Sequence, residues 1–204
     1  MPFDYKKEYK TLYSPKTAPS IIDVPSMTFI MIDGEGDPNT SESYQNAVEI
    51  LYGLSYAVKM SKNGGKQPEG YFDFVVPPLE GMWQGNAADK SGFRWTSMIR
   101  QPDFVTASVF EYAKETLTKK KPHLDLSRAR LELFTEGLCA QIMHLGSFDD
   151  EPATIATLDK FITASAHRLD LSETRRHHEV YLADPRKTAP EKLKTVLRHP
   201  IAAV

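Results

Sequence analysis

The hydrophobic and polar positions of this chain predict one order of elements in its first half. An apolar, β-branched run over residues 27–33 predicts a strand that a Gly-rich turn ends. From Ser41 the apolar residues follow a helical period, with Leu51 and Leu54 on one face, and the pattern stops before Asn63. Two further strands are predicted at residues 71–76 and 92–100. The first half therefore predicts a β-α-β-β unit.

The second half repeats that order after an insertion. An apolar run over residues 140–146 predicts a strand and residues 153–168 predict a helix. Residues 177–182 and 195–199 predict the two closing strands. Each half also ends in a similar tetrapeptide, IRQP in the first and LRHP in the second. The matching order and endings indicate an internal duplication.

The duplication predicts both the domain boundaries and the fold class. We expect one domain over residues 1–204, with repeat one at about 26–102, a linker helix and strand at 103–137, and repeat two at about 138–204. Because each helix must bury its apolar face on a sheet, we expect an α+β fold of tandem β-α-β-β repeats related by a pseudo-twofold rotation. Its sheets would be antiparallel, with the helices on one side. The uncovered sheet faces would then meet at the seam between the repeats and form a ligand pocket.

Composition excludes several classes of partner. The chain has 204 residues, 41% of them hydrophobic, which suffices for a buried core. Its 25 Lys and Arg residues nearly balance 27 Asp and Glu residues, so no basic surface indicates nucleic acid binding. No apolar stretch is long enough to span a bilayer or to act as a secretion signal, so we expect a cytoplasmic protein without a membrane partner. The single cysteine, Cys139, lies in an apolar run and is expected to be a small buried residue.

Period-2 alternation places three polar side chains of the 177–182 strand on one face. Val180 and Leu182 are expected under the helices, which leaves His177, Glu179 and Tyr181 on the opposite face. An ion-paired or solvated strand glutamate is one interpretation of Glu179. The other is a pocket carboxylate with aromatic walls, which suits a flat apolar or cationic ligand. The aromatic residues available for such walls include Trp83, Trp95, Tyr56, Tyr71 and Phe134.

Motifs for other chemistry are missing from the sequence. Patterns for dinucleotides, P-loops, zinc proteases, paired cysteines and serine hydrolases are all absent, so no cofactor is expected. His177 and His178 are adjacent, but successive strand residues point to opposite faces and cannot bind one metal ion together.

Four segments of the chain resemble a known family. The segments 177–186 and 188–198 resemble the C-terminal signature of the gyrase-inhibitor-like (GyrI-like) small-molecule-binding family. Residues 78–83 and 95–104 resemble one branch of stand-alone members. The resemblance extends over nearly the whole chain, from about residue 20 onward.

The resemblance implies a fold, a pocket and two kinds of activity. It implies the tandem β-α-β-β fold with pseudo-twofold symmetry. Related domains of multidrug-responsive transcription regulators bind bulky cationic drugs in an aromatic pocket with a buried glutamate. The branch includes hydrolases that open the cyclopropane of DNA-alkylating antibiotics by adding water. Glu179 matches the position of the pocket glutamate, and Trp83, Trp95 and Tyr56 are candidate walls.

Two functions of different class follow, with a third from the family name alone. In a hydrolase, Glu179 would be the general base and Tyr181 the proton donor, both catalytic. In a module that sequesters or senses hydrophobic cations, Glu179 would be a counter-ion without turnover. The third is a partner-binding protein that inhibits DNA gyrase. The small-molecule ligand would be bulky and aromatic or cationic in either leading case, and His177, Tyr71 and Phe134 are the remaining candidate ligand-binding residues.

Overall fold

The computed structural model describes residues 1–64, 67–86 and 89–204. The helices are α1 (Tyr5–Glu8), α2 (Lys10–Tyr13), α3 (Glu42–Lys59), α4 (Ala107–Lys120) and α5 (Glu151–Ala164). The strands are β1 (Ser20–Val24), β2 (Met27–Glu35), β3 (Leu79–Asn86), β4 (Asp89–Arg100), β5 (Arg130–Phe134), β6 (Gly137–Leu145), β7 (His167–Leu169), β8 (His177–Tyr181) and β9 (Lys194–Ala203). Both halves thus run strand, helix, strand, strand, with β7 inserted in the second. The predicted α+β class with antiparallel strands is confirmed.

The chain divides into two compact units whose boundaries differ from those of the repeats. Unit 1 comprises Met1–Tyr5, Met27–Pro77 and Gly85–Phe134, and unit 2 comprises Lys6–Ser26, Pro78–Gln84 and Thr135–Val204. Most of β3 therefore belongs to unit 2, where it pairs with β8. The near-twofold superposition of the two repeats stays a prediction.

Unit 1 contains three paired antiparallel strands, with helix α3 packed on two of them. Strand β2 pairs with β4 on one side and β5 on the other, and α3 packs on β2 and β4. Helix α3 begins as the sequence predicts, because the Ser41 side chain accepts a hydrogen bond from the Tyr44 amide. Leu51 and Leu54 are fully buried, as the helical period predicts.

The predicted strand at residues 71–76 is wrong. That segment makes a single bridge, between Phe3 and Phe74, and the corresponding strand lies further on, at β3. Aromatic packing holds the segment instead: Phe72 makes edge contacts with Phe3 and Phe104, and Phe74 is fully buried. Its apolar alternation therefore reflects a packed extended chain rather than a ladder of strand hydrogen bonds.

Unit 2 contains the antiparallel strand order β1-β6-β9-β8-β3, with β7 on the end of β9. Helix α5 covers one face of this sheet. The core between them consists of Ala140, Ile142, Leu158, Ile162, Leu197 and Ile201. Cys139 of β6 is fully buried, as predicted, and burial raises the pKa of its thiol.

A buried ion network lies on the other face of the β8-β9 pair. The Glu136 carboxylate is 2.9 Å from Arg198 Nη1 and 3.0 Å from His178 Nδ1. Burial alone would raise the pKa of Glu136, but the charges of His178 and Arg198 overcome that effect and lower it to about 2. Burial alone would lower the pKa of His178, but Glu136 and Glu80 raise it to about 9.

The same network ties the N-terminal segment to the sheet. Arg198 donates to the Leu12 carbonyl at 3.1 Å, and the Tyr13 hydroxyl donates to Glu80 at 3.3 Å. His178 Nε2 lies 3.1 Å from Glu80 Oε2, which is an ion-pair distance. Charges from four segments of unit 2 therefore meet beneath β8.

The network predicts a stability maximum in mildly acidic solution. The folded-state pKa of His178 lies above its unfolded value of 6.5, so its contribution is complete below about pH 6.5 and is lost as the pH rises through about 9. The pKa of Glu136 is lowered, so its contribution is complete above about pH 4.5 and is lost as the pH falls toward 2. We expect the free energy of unfolding in urea to peak between these limits and to fall by up to about 3 kcal/mol on either side.

Two histidine variants test the alkaline side. His178→Gln should be less stable at pH 6 and should lose most of the decline between about pH 6.5 and 9. His167→Gln, on β7 and outside the network, should keep the wild-type pH profile. An unchanged decline in His178→Gln would assign it to other groups.

Candidate functional site

Strand β8 separates two sets of side chains. His177, Glu179 and Tyr181 are half-buried on one face, while His178 and Val180 are fully buried on the other. The predicted alternation along this strand is confirmed. Its two faces therefore carry different chemistry, the ion network on one and the candidate site on the other.

The predicted position of this face relative to the helices is wrong. Glu179 pairs across the strands with Leu197, and Leu197 packs in the core beneath α5. Paired residues share a face, so Glu179 lies on the side of the sheet that carries α5. Helix α5 packs on β6 and β7, and β8 lies on the far side of β9 from β6. The opposite face is occupied by the ion network and the N-terminal segment, which the apolar alternation of β8 did not indicate.

Glu179 has protein partners on both carboxylate oxygens. Its side chain is 13% exposed. Tyr181 donates its hydroxyl to Oε2 at 2.7 Å, and His177 Nε2 lies 2.9 Å from Oε1. The carboxylate is therefore held in one orientation at the edge of solvent.

Strand β3 brings an aromatic wall to this carboxylate. Antiparallel pairing sets Gly81 opposite Glu179 and Trp83 opposite His177. The Trp83 indole N–H donates to the Tyr181 hydroxyl at 2.8 Å. A Cβ on Gly81 would lie 2.7 Å from Trp83 Nε1 and 3.1 Å from the Tyr181 oxygen, so a glycine is required beneath these two rings. Phe148 adds an edge contact to Tyr181 at 5.8 Å between ring centroids.

The hydrogen bonds continue from Glu179 through two histidines to α5. His177 Nδ1 lies 2.8 Å from His199 Nε2, and His199 Nδ1 lies 3.0 Å from Asp159 Oδ1. Burial, reinforced by the neighbouring His177, lowers the pKa of His199 to about 4. Sequence reasoning missed His199, Asp159 and Phe148. Both ring nitrogens of His177 contact protein groups, and its predicted ligand-binding role stays a prediction.

The other predicted aromatic residues belong to unit 1. Trp95 is fully buried, with its ring over Gly34 and an edge contact to Tyr44. Tyr56 is exposed on α3. Tyr71 donates its hydroxyl to the Lys59 carbonyl at 2.7 Å, and Phe134 makes an edge contact with Phe29. Within unit 2 the structure brings together Glu179, Tyr181, Trp83 and His177, and the ligand-binding roles of the unit 1 residues stay predictions.

Unit 2 also contains a groove of about 540 Å³. It has an apolar floor with lysines beside it, and its lining includes Met143, Leu145, Leu182, Lys16 and Lys194. None of the predicted site residues lines this groove, and the predicted pocket around Glu179 stays a prediction.

Across the described ranges, no group of three or more His, Cys, Asp and Glu residues is placed to hold a metal ion. In the same ranges no helix has the length and apolarity needed to cross a membrane.

Comparison with known proteins agrees with this arrangement. The profile of the GyrI-like small molecule binding domain matches residues 17–202. The chain belongs to this GyrI-like family. The family supports a small-molecule ligand, and no functionally curated protein matches the chain.

Solved structures extend the comparison. A conserved, uncharacterized protein from Listeria innocua is 50% identical, with a TM-score of 0.94, over 98% of this chain and 100% of that one. A structure described as a hydrolase from Listeria innocua is also 50% identical, with a TM-score of 0.92 and the same coverage. The C-terminal domain of EcmrR, at 9% identity and a TM-score of 0.54 over 91% of this chain and 98% of that one, shares the fold alone.

Removing one hydroxyl should perturb the aromatic wall. Tyr181→Phe deletes the acceptor of the Trp83 indole and one donor to Glu179, so we expect a loss of about 1–2 kcal/mol in unfolding free energy. In a ¹H–¹⁵N NMR spectrum, the Trp83 indole resonance should move to lower proton frequency while that of Trp95 stays in place. Tyr56→Phe, at an exposed position, is the matched control and should change neither. A Trp83 resonance unmoved in Tyr181→Phe would contradict the hydrogen bond.

Proposed function

We propose that this protein is a detoxifying hydrolase that binds bulky aromatic or cationic small molecules and adds water to the strained ring of cyclopropane-bearing DNA-alkylating compounds. The observation that carries the proposal is the Glu179 carboxylate, largely buried beside Trp83 and held by Tyr181 and His177. We place this reaction in the cytoplasm, as the composition predicts.

Glu179 and Tyr181 supply the acid and base that ring opening requires. Glu179 accepts a proton from water while the water oxygen bonds to a ring carbon. The electron pair of the broken carbon–carbon bond moves onto a conjugated carbonyl oxygen of the substrate, and Tyr181 protonates that oxygen. Glu179 then releases its proton to solvent and Tyr181 takes one up from solvent, so both groups return to their starting states. Protons and electrons balance, and the product is heavier than the substrate by one water.

Aromatic surface beside the carboxylate supports a flat substrate. The Trp83 indole is fixed by its hydrogen bond to Tyr181 and offers a rigid stacking surface at low entropic cost. Trp95, Tyr56, Tyr71 and Phe134 are the remaining proposed ligand-binding residues. The relative described as a hydrolase supports the reaction class, and the choice of a cyclopropane substrate rests on the resemblance of residues 78–83 and 95–104.

A second candidate function is sequestration or sensing of hydrophobic cations without turnover. The observation that favours it is the number of partners already on Glu179. A carboxylate fixed by donors on both oxygens is a preorganised counter-ion, and a cation stacked on Trp83 would lie beside it. This function needs no water beside the carboxylate.

One isosteric substitution tests the hydrolase. Glu179→Gln keeps the shape of the side chain and removes its basicity, so we expect turnover of a cyclopropane-bearing alkylator to fall at least about 100-fold. Binding of a neutral aromatic ligand should stay within about tenfold, or about 1.4 kcal/mol. Mass spectrometry of the products, watching for the gain of one water, is the measurement. Glu191→Gln, at an exposed position, is the matched control and should retain wild-type turnover.

The same variant separates the two functions. If the wild type and Glu179→Gln both convert the compound at the rate of buffer alone, the hydrolase proposal fails. Sequestration then predicts that Glu179→Gln weakens binding of cationic dyes by about 1–2 kcal/mol and leaves neutral ligands unaffected.

A further inference from the structure

Four ionisable groups of unit 2 form one unbranched hydrogen-bonded array. It begins at Glu179 on β8, passes through His177 and His199, and ends at Asp159 on α5. The three contacts measure 2.9, 2.8 and 3.0 Å. Glu179 is 13% exposed, whereas the Asp159 side chain is 39% exposed. The array thus joins a largely enclosed carboxylate to one that water reaches.

Counting hydrogens fixes how many protons the array holds. Each of the three contacts needs one hydrogen between its two heavy atoms. Two neutral imidazoles carry only one N–H each, and two ionised carboxylates carry none. All three hydrogen bonds therefore form only when the array contains one further proton.

That further proton has four positions, and all three bonds persist in each. It can reside on Glu179, on His177, on His199 or on Asp159. From Glu179, the proton on Oε1 passes to His177 Nε2, the His177 Nδ1 proton passes to His199 Nε2, and the His199 Nδ1 proton passes to Asp159. Each transfer breaks one O–H or N–H bond and forms another, and Asp159 exchanges its proton with water.

We propose that His177, His199 and Asp159 are positioning residues that hold one shared proton, keep Glu179 ionised and oriented, and exchange its proton with solvent at the surface of α5. The role in catalysis rests on the proposed function, because it assumes that Glu179 is the base.

The surroundings of the two imidazoles favour this sharing. In the described part of the chain, the titratable side chains that contact them are Asp159 from α5 and Glu179 from β8. On the paired strands, β3 places Trp83 opposite His177 and β6 places Ala140 opposite His199, both uncharged. The rings meet edge to face with centroids 4.9 Å apart.

The first test needs no substrate. In the ¹⁵N NMR spectrum of the whole protein, the ring nitrogens of His177 and His199 should change together over one pH interval. Asp159→Asn keeps an acceptor for His199 but cannot take a proton. It should move the His177 interval to lower pH by at least about 0.5 unit, although Asp159 does not contact His177. Independent titration of the rings, with the effect of Asp159→Asn confined to His199, would overturn the proposal.

The second test measures whether the array affects catalysis by Glu179. Asp159→Asn and His199→Gln should lower kcat for the cyclopropane-bearing alkylator by about tenfold or more and shift the acidic limb of the kcat/KM profile, with KM within about twofold. His167→Gln, on neighbouring β7, should keep the wild-type profile. Wild-type pH profiles in both Asp159→Asn and His199→Gln would refute the role of the array at Glu179 and would leave the proposed hydrolase function standing. If the wild type itself shows no turnover, the proposed function fails and the NMR titration alone decides whether the proton is shared.

Discussion

The buried contacts of Glu136 with His178 and Arg198 are the interaction on which the site depends. Glu136 links β8 and β9 on the face opposite α5, and its cationic partners His178 and Arg198 are almost completely buried. Burying these charges costs free energy. Removing one partner would leave the other charge buried and unpaired, which is strongly destabilising, so the network holds its residues in one fixed arrangement. Because His178 directly precedes Glu179, the network that fixes one residue also fixes the strand position of the other.

The pairing register between β3 and β8 determines which side chains meet at the candidate site. A shift of one residue between β3 and β8 would exchange the faces of every side chain on the strand that moves. In the observed register, Gly81 lies opposite Glu179 and leaves room for the Trp83 and Tyr181 rings. The same strand thus bears charge pairing on its hidden face and a carboxylate with aromatic neighbours on the other. The ion network and the candidate site therefore lie on opposite faces of the same strand.

Local patterns predicted what lies along one strand, and contacts between segments decided the rest. Alternation was sufficient to group His177, Glu179 and Tyr181, and the repeated order of elements was sufficient for the fold class. The face on which α5 packs was not predictable from β8, because both of its faces are covered. His199 belongs to the repeated tetrapeptide, and the alternation of side chains along β9 could have shown which face of the sheet it lies on. Asp159 carries no such signal, since it is one polar position on an otherwise ordinary amphipathic helix.

We propose that Glu179 acts as a general base toward water rather than as a nucleophile. A single turnover of a cyclopropane-bearing alkylator in H₂¹⁸O, followed by mass spectrometry of the product and of the peptide containing Glu179, tests it directly. If Glu179 is a general base, we expect ¹⁸O in the product and none in the peptide, because the oxygen comes from solvent in one step. Unlabelled product together with ¹⁸O in the Glu179 carboxylate would indicate a covalent ester intermediate and contradict the general-base role.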